Sequence, residues 1–310
     1  MAIDRLRAED RIMLWPDAIW PQDIGAIALL DGRDLSDPDG RFRIEAARDA
    51  VAGRLHLVPR FRQLLHEPEP GLGGPLWVDA PDFDLANHVR MAAALSAPAG
   101  EAQMLLAIEE LRRRRLDRSR PLWEMWFLPG LAGGRVAVFM RTHHCLADGM
   151  AGVATLAAFL DVDHGAIASP PEPWTPAPWP ATGDLLADER RRRARDRQRT
   201  VSAIAHPLRT LGKVRDAWPA LRELIAEKEI PSNSLDRTAG PGRRFALVRA
   251  SLDEVRATAR SHGAKINDVL LAAVAGGLRE LLRARGELSE GLVVRIYVPV
   301  TLRRGEVDRA

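Results

Sequence analysis

Apolar residues recur along this chain with two different periods, and the switches between them mark its elements. "IGAIALLDG", Ile24 to Gly32, is a short apolar run closed by Asp-Gly and reads as a strand. "EAQMLLAIEELRRRRL", Glu101 to Leu116, spaces its apolar residues for one face of a helix. "GRVAVFMRT", Gly134 to Thr142, alternates small and large apolar side chains and predicts a second strand. "MAGVATLAAFLDV", Met150 to Val162, has helical composition. Further on, Leu208, Leu211, Val214, Trp218, Leu221, Leu224 and Ile225 return at helical spacing, with Pro219 as an expected kink or break. Ser251 and Glu254 have the spacing of a capping box for a helix ending near Gly263. Another helix follows, with Asn267 read as its N-cap and Gly286 as its stop. "LVVRIYVPV", Leu292 to Val300, predicts a buried strand.

Strands and helices thus alternate, and the expected class is α/β. The main interruption is "SPPEPWTPAPWP", whose six prolines between Pro170 and Pro180 exclude regular helix and favour an extended linker. It divides the chain into an N-terminal domain (1–168), a proline-rich and helical connecting segment (169–242) and a C-terminal domain (243–310). Charge sharpens that division. The formal net charge of the 310 residues is only +3, yet Asp188 to Glu229 holds twelve basic and seven acidic residues, +5, leaving −2 elsewhere. The densest part is "RRRRARDRQR", Arg190 to Arg199.

Composition removes several functional classes. A single cysteine, Cys145, rules out a disulfide framework and a multi-cysteine zinc site, so a reducing, cytoplasmic setting is expected. The N-terminal "MAIDRLRAEDRIMLW" mixes charges where a signal peptide needs a continuous apolar core. The longest nearly apolar run, Val269 to Leu278, is too short to cross a bilayer. No glycine-rich phosphate loop or internal repeat is present, and the arginine run lacks the interleaved aromatics of a nucleic-acid site.

Chemistry concentrates in "RTHHCLADGM", Arg141 to Met150, at the predicted end of the second strand. Neighbouring strand residues face opposite ways, so extended geometry through the pair lets only one of His143 and His144 react while the other supports it. A neutral imidazole, with an ordinary pKa of about 6.5, accepts an alcohol proton near neutral pH without further tuning. Gly149 permits a sharp turn, and Asp148 suits orienting a ring, pairing with an arginine or capping the following helix. Zinc fits less well, because adjacent ligands on a strand diverge and no third histidine lies nearby.

His143, His144, Asp148 and Gly149 also fit the HHxxxDG signature of the CoA-dependent acyltransferase superfamily, shared with the condensation domains of peptide synthetases. Taken in order, "VPRFRQLL", "WVDAPDFDLANHVR", "LDRSRPLWEMWFLPGLAGGRVAVFMRTHHCLADGM", "KINDVLLAAVAGGLRELL" and "VPVTLR" resemble the bacterial wax ester synthase/diacylglycerol acyltransferase family nearly end to end. That resemblance implies a two-domain fold of the chloramphenicol-acetyltransferase type with its active site in a channel between domains. It implies that His144 deprotonates a fatty alcohol or diacylglycerol, which attacks an acyl-CoA thioester, with His143 supporting. Acyl-CoA is then a substrate, and no bound cofactor or metal is called for. Asn267, in the Asn267-Asp268 pair, matches a further family motif and offers a hydrogen bond to the developing oxyanion, beside its alternative reading as a cap. Related acyltransferases fix the Asp148 loop with an arginine of the second domain, here Arg303.

The resemblance has departures. Family members continue well beyond "VPVTLR", which implies a second domain incomplete within these 310 residues, and the family's "LNG"-like segment reads "LDRTAGPGRR" here. Trp123, Glu124 and Trp126 are expected to pack and position a strand, and His56, His66, His88, His164, His206 and His262 to be surface or scaffold. The arginine run reads as a solvated helical face or as a contact with anionic lipid at a membrane or lipid inclusion. Two rival functions stand beside neutral-lipid O-acyl transfer: condensation on a carrier protein, against which the arginine run and "PLWE" argue, and an inactive lipid- or partner-binding protein.

Overall fold

The computed structural model describes residues 3–19, 21–93, 95–96, 98–146, 155, 157–160, 170, 173–205, 218, 222, 233–237, 240, 242–296 and 298. The chain divides into two compact units, Met1–Pro207 with Pro241–Ala246, and Leu208–Gly240 with Leu247–Ala310.

The first unit runs through α1 (Ala8–Arg11), β1 (Asp23–Asp31), α2 (Ile44–Ala52), β2 (Gln63–His66), β3 (Leu76–Asp79), β4 (Val89–Met91), α3 (Glu101–Arg112), β5 (Trp123–Leu131), β6 (Arg135–His143) and α4 (Thr182–Ala205). One mixed sheet has the order β1-β6-β5-β4, antiparallel except for the β4/β5 pair, while β2 and β3 form a separate antiparallel ladder. Because β6 lies inside the sheet with a layer on each face, every residue from Val136 to His143 is buried. That explains its almost unbroken apolar run. On one face Val136, Val138 and Met140 join Met125 and Phe127 of β5 and Ala47 and Val51 of α2. On the other, Ala137 and Phe139 join Leu128 and the Met104, Leu105 and Ile108 stripe of α3. The result is a helix–sheet–helix sandwich, an α/β arrangement.

Both strands and the helix expected in this region form, the helix over Glu101–Arg112, where Gly100 donates its N–H to Gln103 Oε1 at 3.0 Å. In β5 the pairing shifts between Leu128 and Leu131. Gly130 sits in this irregularity at φ +99°, and a Cβ there would lie 2.6 Å from the Leu95 carbonyl oxygen.

Residues 173–180 of the proline-rich segment form no regular helix or strand, and they are anchored. Ala177 donates its N–H to Asp79 Oδ2 at 2.9 Å, and Trp179 Nε1 donates to the Asp79 carbonyl at 2.9 Å. The Trp174 ring lies 5.2 Å from the Arg62 guanidinium. The arginine run lies on α4, whose N-terminal part docks through buried Leu185 and an Arg5–Asp188 ion pair of 2.7 Å.

In the second unit the described helices are α5 (Leu252–Ser261) and α6 (Ile266–Ala284). Ser251 Oγ accepts the Glu254 N–H at 3.5 Å, and Gly263 and Gly286 take the left-handed conformation expected of helix stops, at φ +61° and +70°. Two expectations are corrected. The N-cap of α6 is Lys265 rather than Asn267, because the Asp268 carboxylate reaches back to accept the Lys265 N–H at 2.8 Å and so starts the helix earlier. "LVVRIYVPV" forms no strand among its described residues, and Val293, Ile296 and Val298 are exposed, since an apolar alternation becomes a strand only where a neighbour pairs with it. Most of Met150 to Val162, and of the apolar stripe from Leu208 to Ile225, lies outside the described residues.

Candidate active site

β6 carries the first half of the motif, and its register decides what faces it. Arg141 stands opposite Gly25 of β1 and Glu124 of β5, while His143 stands opposite Asp23. Arg141 and His143 continue the odd-numbered row of Ala137 and Phe139, so the apolar α3 face of the sheet turns ionic at this end. Arg141, 2% exposed, donates from Nη2 and Nε to Glu124 Oε2 at 2.8 and 3.2 Å and from Nη1 to the Arg114 carbonyl at 2.6 Å. Asp23 takes Arg112 Nη2 at 2.7 Å and lies 3.6 Å from Arg141 Nη1. Trp126 Nε1 adds a 2.9 Å bond to Glu124 Oε2. Arg90 Nη1 lies 3.9 Å from Glu124 Oε1 as a third, more exposed guanidinium, so each enclosed ion is paired and hydrogen-bonded, as burial of ions requires. The network fixes the end of β6 just before the histidines.

Strand pairing continues one step past β6. His143 donates its N–H to the Leu122 carbonyl at 2.9 Å on the β5 side, and His144 donates to the Gln22 carbonyl at 2.8 Å on the β1 side. Amides that alternate in this way keep the strand habit through the pair, although regular β6 ends at His143. The two residues differ in exposure: His143 is 2% exposed, whereas His144 is half-buried.

His143 Nδ1 accepts the Cys145 N–H at 3.1 Å, so the neutral ring carries its proton on Nε2. Nε2 lies 3.5 Å from Asp17 Oδ1 and makes no formed hydrogen bond. Burial pushes the His143 pKa below the ordinary imidazole value, with the Asp17 carboxylate pulling the other way. His143 is therefore an enclosed ring whose Nδ1 is taken by the Cys145 N–H and whose Nε2 faces Asp17 without a formed hydrogen bond. The Cys145 thiol, pushed up to about 12 by burial, is inert near neutral pH.

Asp148, Gly149 and Arg303 lie outside the described residues. Asn267 is an exposed residue in the first turn of α6, in the second unit. Trp123 is fully buried as a positioning residue should be: its Nε1 donates to the Phe61 carbonyl at 2.8 Å, and its ring stacks on Phe61 and His88. His88 is scaffold too, donating from Nδ1 to the Trp123 carbonyl at 2.8 Å. Asp17, Asp23, Arg112 and Arg141 were not singled out by sequence. The only signal was an arginine inside an apolar strand, a placement that demands buried carboxylates.

The wax ester synthase/diacylglycerol acyltransferase catalytic-domain model matches residues 6–270. The chain belongs to that family. A putative diacylglycerol O-acyltransferase of Mycobacterium tuberculosis is 37% identical over 314 residues, covering 96% of this chain and 63% of the relative. The probable diacylglycerol O-acyltransferase tgs3 of the same organism is 34% identical over 229 residues, 72% of this chain and 84% of that protein. A solved wax ester synthase/diacylglycerol acyltransferase from Marinobacter aquaeolei VT8 matches with a TM-score of 0.62 at 24% identity, over 93% of this chain and 62% of that one, and shows the shared fold. The chain thus spans 63% of the length of the first of these family relatives.

Proposed function

We propose that the protein is an O-acyltransferase that moves a fatty acyl group from acyl-CoA to the hydroxyl of diacylglycerol or a long-chain alcohol. The observation that carries this reading is the unequal histidine pair at the end of β6: His143 is enclosed with its Nδ1 taken by the Cys145 N–H, and His144 beside it is half-buried with its backbone pinned to Gln22. Family membership supplies the substrate class. His144 accepts the acceptor's hydroxyl proton as the oxygen attacks the thioester carbonyl. The C–O bond forms, the C–S bond breaks, and the CoA thiolate leaves with the proton returned by the imidazolium. Acyl-CoA is consumed as substrate, and the chemistry calls for no bound cofactor.

The proposal extends to a two-domain chloramphenicol-acetyltransferase-like arrangement built from residues 1–168 and 243–310 and joined by 169–242. Asn267 donates to the oxyanion, and an Asp148–Arg303 ion pair holds the loop after the histidines. Arg190 to Arg199 supplies a contact with anionic lipid at a membrane or lipid-inclusion surface.

The test is ester formation from labelled acyl-CoA, measured in parallel with diacylglycerol and with a long-chain alcohol. His144→Ala is expected to lower turnover by about 100-fold or more, and His143→Ala by less, since general-base catalysis commonly contributes 10²–10⁴. Parent-like activity in a His144→Ala protein with an unchanged circular dichroism spectrum removes His144 as the base.

A further inference from the structure

We infer that Asp17, on the short turn before β1, is a positioning residue for both histidines of the site: it faces the ring of His143 and ties down Gln22, the residue whose carbonyl holds His144. The inference rests on the reading of His144 as base. Asp17 lies in a 3-10 turn, Pro16–Ala18, and is 8% exposed. Its Oδ1 accepts the Gln22 N–H at 3.0 Å, and the carbonyl of that same Gln22 accepts the His144 N–H at 2.8 Å. The same Oδ1 lies 3.5 Å from His143 Nε2, while Oδ2 lies 3.7 Å from Arg118 Nε. One carboxylate oxygen therefore reaches the supporting ring directly and the reacting residue through a single residue, Gln22.

The consequence for His143 is its tautomer. Nδ1 is occupied by the Cys145 N–H, which leaves the proton on Nε2, directed toward Asp17. At 3.5 Å the pair exceeds a formed N–H···O bond, so Asp17 acts through its negative field, which favours that proton where burial alone disfavours charge. The other groups acting on this ring are Asp23, which favours the charged form, and Arg118 and His144, which oppose it. A second proton could enter the ring only at Nδ1, at the expense of the Cys145 bond. His143 is thereby prevented from competing with His144 for the acceptor's proton.

A purely structural role for Asp17 as the cap of Gln22 makes a different prediction, and Asp17→Asn separates the two. Its amide oxygen still accepts the Gln22 N–H, but the charge facing His143 is gone. The readouts are histidine-ring 15N and 13C resonances across pH, and steady-state turnover with acyl-CoA and diacylglycerol. In the unsubstituted protein His143 is expected as the Nε2–H tautomer, and an Nδ1–H tautomer overturns the inference without any variant. Asp17→Asn is expected to lower the His143 titration midpoint by on the order of half a pH unit, since it removes an opposite charge. It should also reduce kcat by about tenfold with KM for acyl-CoA little changed, as loss of alignment does. Asp17→Ala, which also releases Gln22, should lose more. If His144→Ala is inactive but Asp17→Asn matches the parent in both readouts, the positioning role fails alone. If Asp17→Asn shifts the His143 midpoint while His144→Ala stays active, the base assignment fails and the link between Asp17 and His143 stands.

Discussion

Burial outweighs neighbouring charge at the two most enclosed histidines among the described residues, and this sets a pH dependence for the first unit. His88 stacks between Phe83 and Trp123, and His143 closes β6; burial is the largest influence on each and lowers both pKa values. In the unfolded chain these rings titrate near 6.5. Below that pH the unfolded state binds protons that the folded state refuses, so stability is fully present above about 6.5 and is lost as pH falls toward the lower folded values. The urea midpoint is expected to drop between pH 7.5 and 5.5, and His88→Asn, which keeps a donor for the Trp123 carbonyl, should flatten part of that slope while costing some stability at pH 7.5. A midpoint that holds steady or rises over the same interval contradicts the assignment of both rings as buried and neutral.

At the scale of elements, local signals were legible and cross-chain ones were not. Periodicity announced β1, α3 and β6, and the Ser251 cap and the Gly263 and Gly286 stops were readable because each is settled within a few residues. The two misreadings have the same origin. Asn267 looked like a cap until the Asp268 carboxylate took the Lys265 N–H, and "LVVRIYVPV" has a strand's alternation without a paired neighbour among the described residues. The histidine pair was visible as a motif, but its ionic surroundings depend on register: Arg112 and Asp23 are 89 residues apart. The β5 irregularity tests how far such tertiary constraints reach. Gly130→Ala forces both a left-handed conformation and a 2.6 Å approach to the Leu95 carbonyl, whereas Gly133→Ala, at φ +75°, meets open space. The first is expected to cost about 3 kcal/mol or more and the second about 1 kcal/mol, from denaturation midpoints. Equal losses mean that the Leu95 contact is relieved by a small backbone shift.

At the scale of the molecule, the uneven charge seen in the sequence becomes a projecting feature. α4 is held to the first unit near its start, by Leu185 and Asp188, and from Arg190 to Ala205 every residue is exposed. Arg193 pairs with Glu189, Arg191 with Asp188 and Arg199 with Asp196, all within the helix. Arg190, Arg192, Arg195 and Arg197 make no ion pair among the described residues, and Val201 and Ile204 stand exposed beyond them. At about 100° per residue Arg190 and Arg197 share one side of the helix and Arg192 and Arg195 the opposite side, so any attraction to lipid is that of a charged rod rather than one amphipathic face. The proposed lipid contact should then behave as diffuse electrostatics. Each arginine near an anionic surface contributes about 1 kcal/mol, and the attraction falls off over roughly 10 Å at 0.1 M salt. Binding to phosphatidylserine-containing vesicles is expected to weaken at least about tenfold when these four arginines become glutamine, and to weaken with rising salt in the parent but little in the variant. Neutral phosphatidylcholine vesicles should not distinguish the two proteins. If sedimentation shows equal, salt-insensitive binding of parent and variant to anionic vesicles, the arginines of α4 form an ordinary solvated helix.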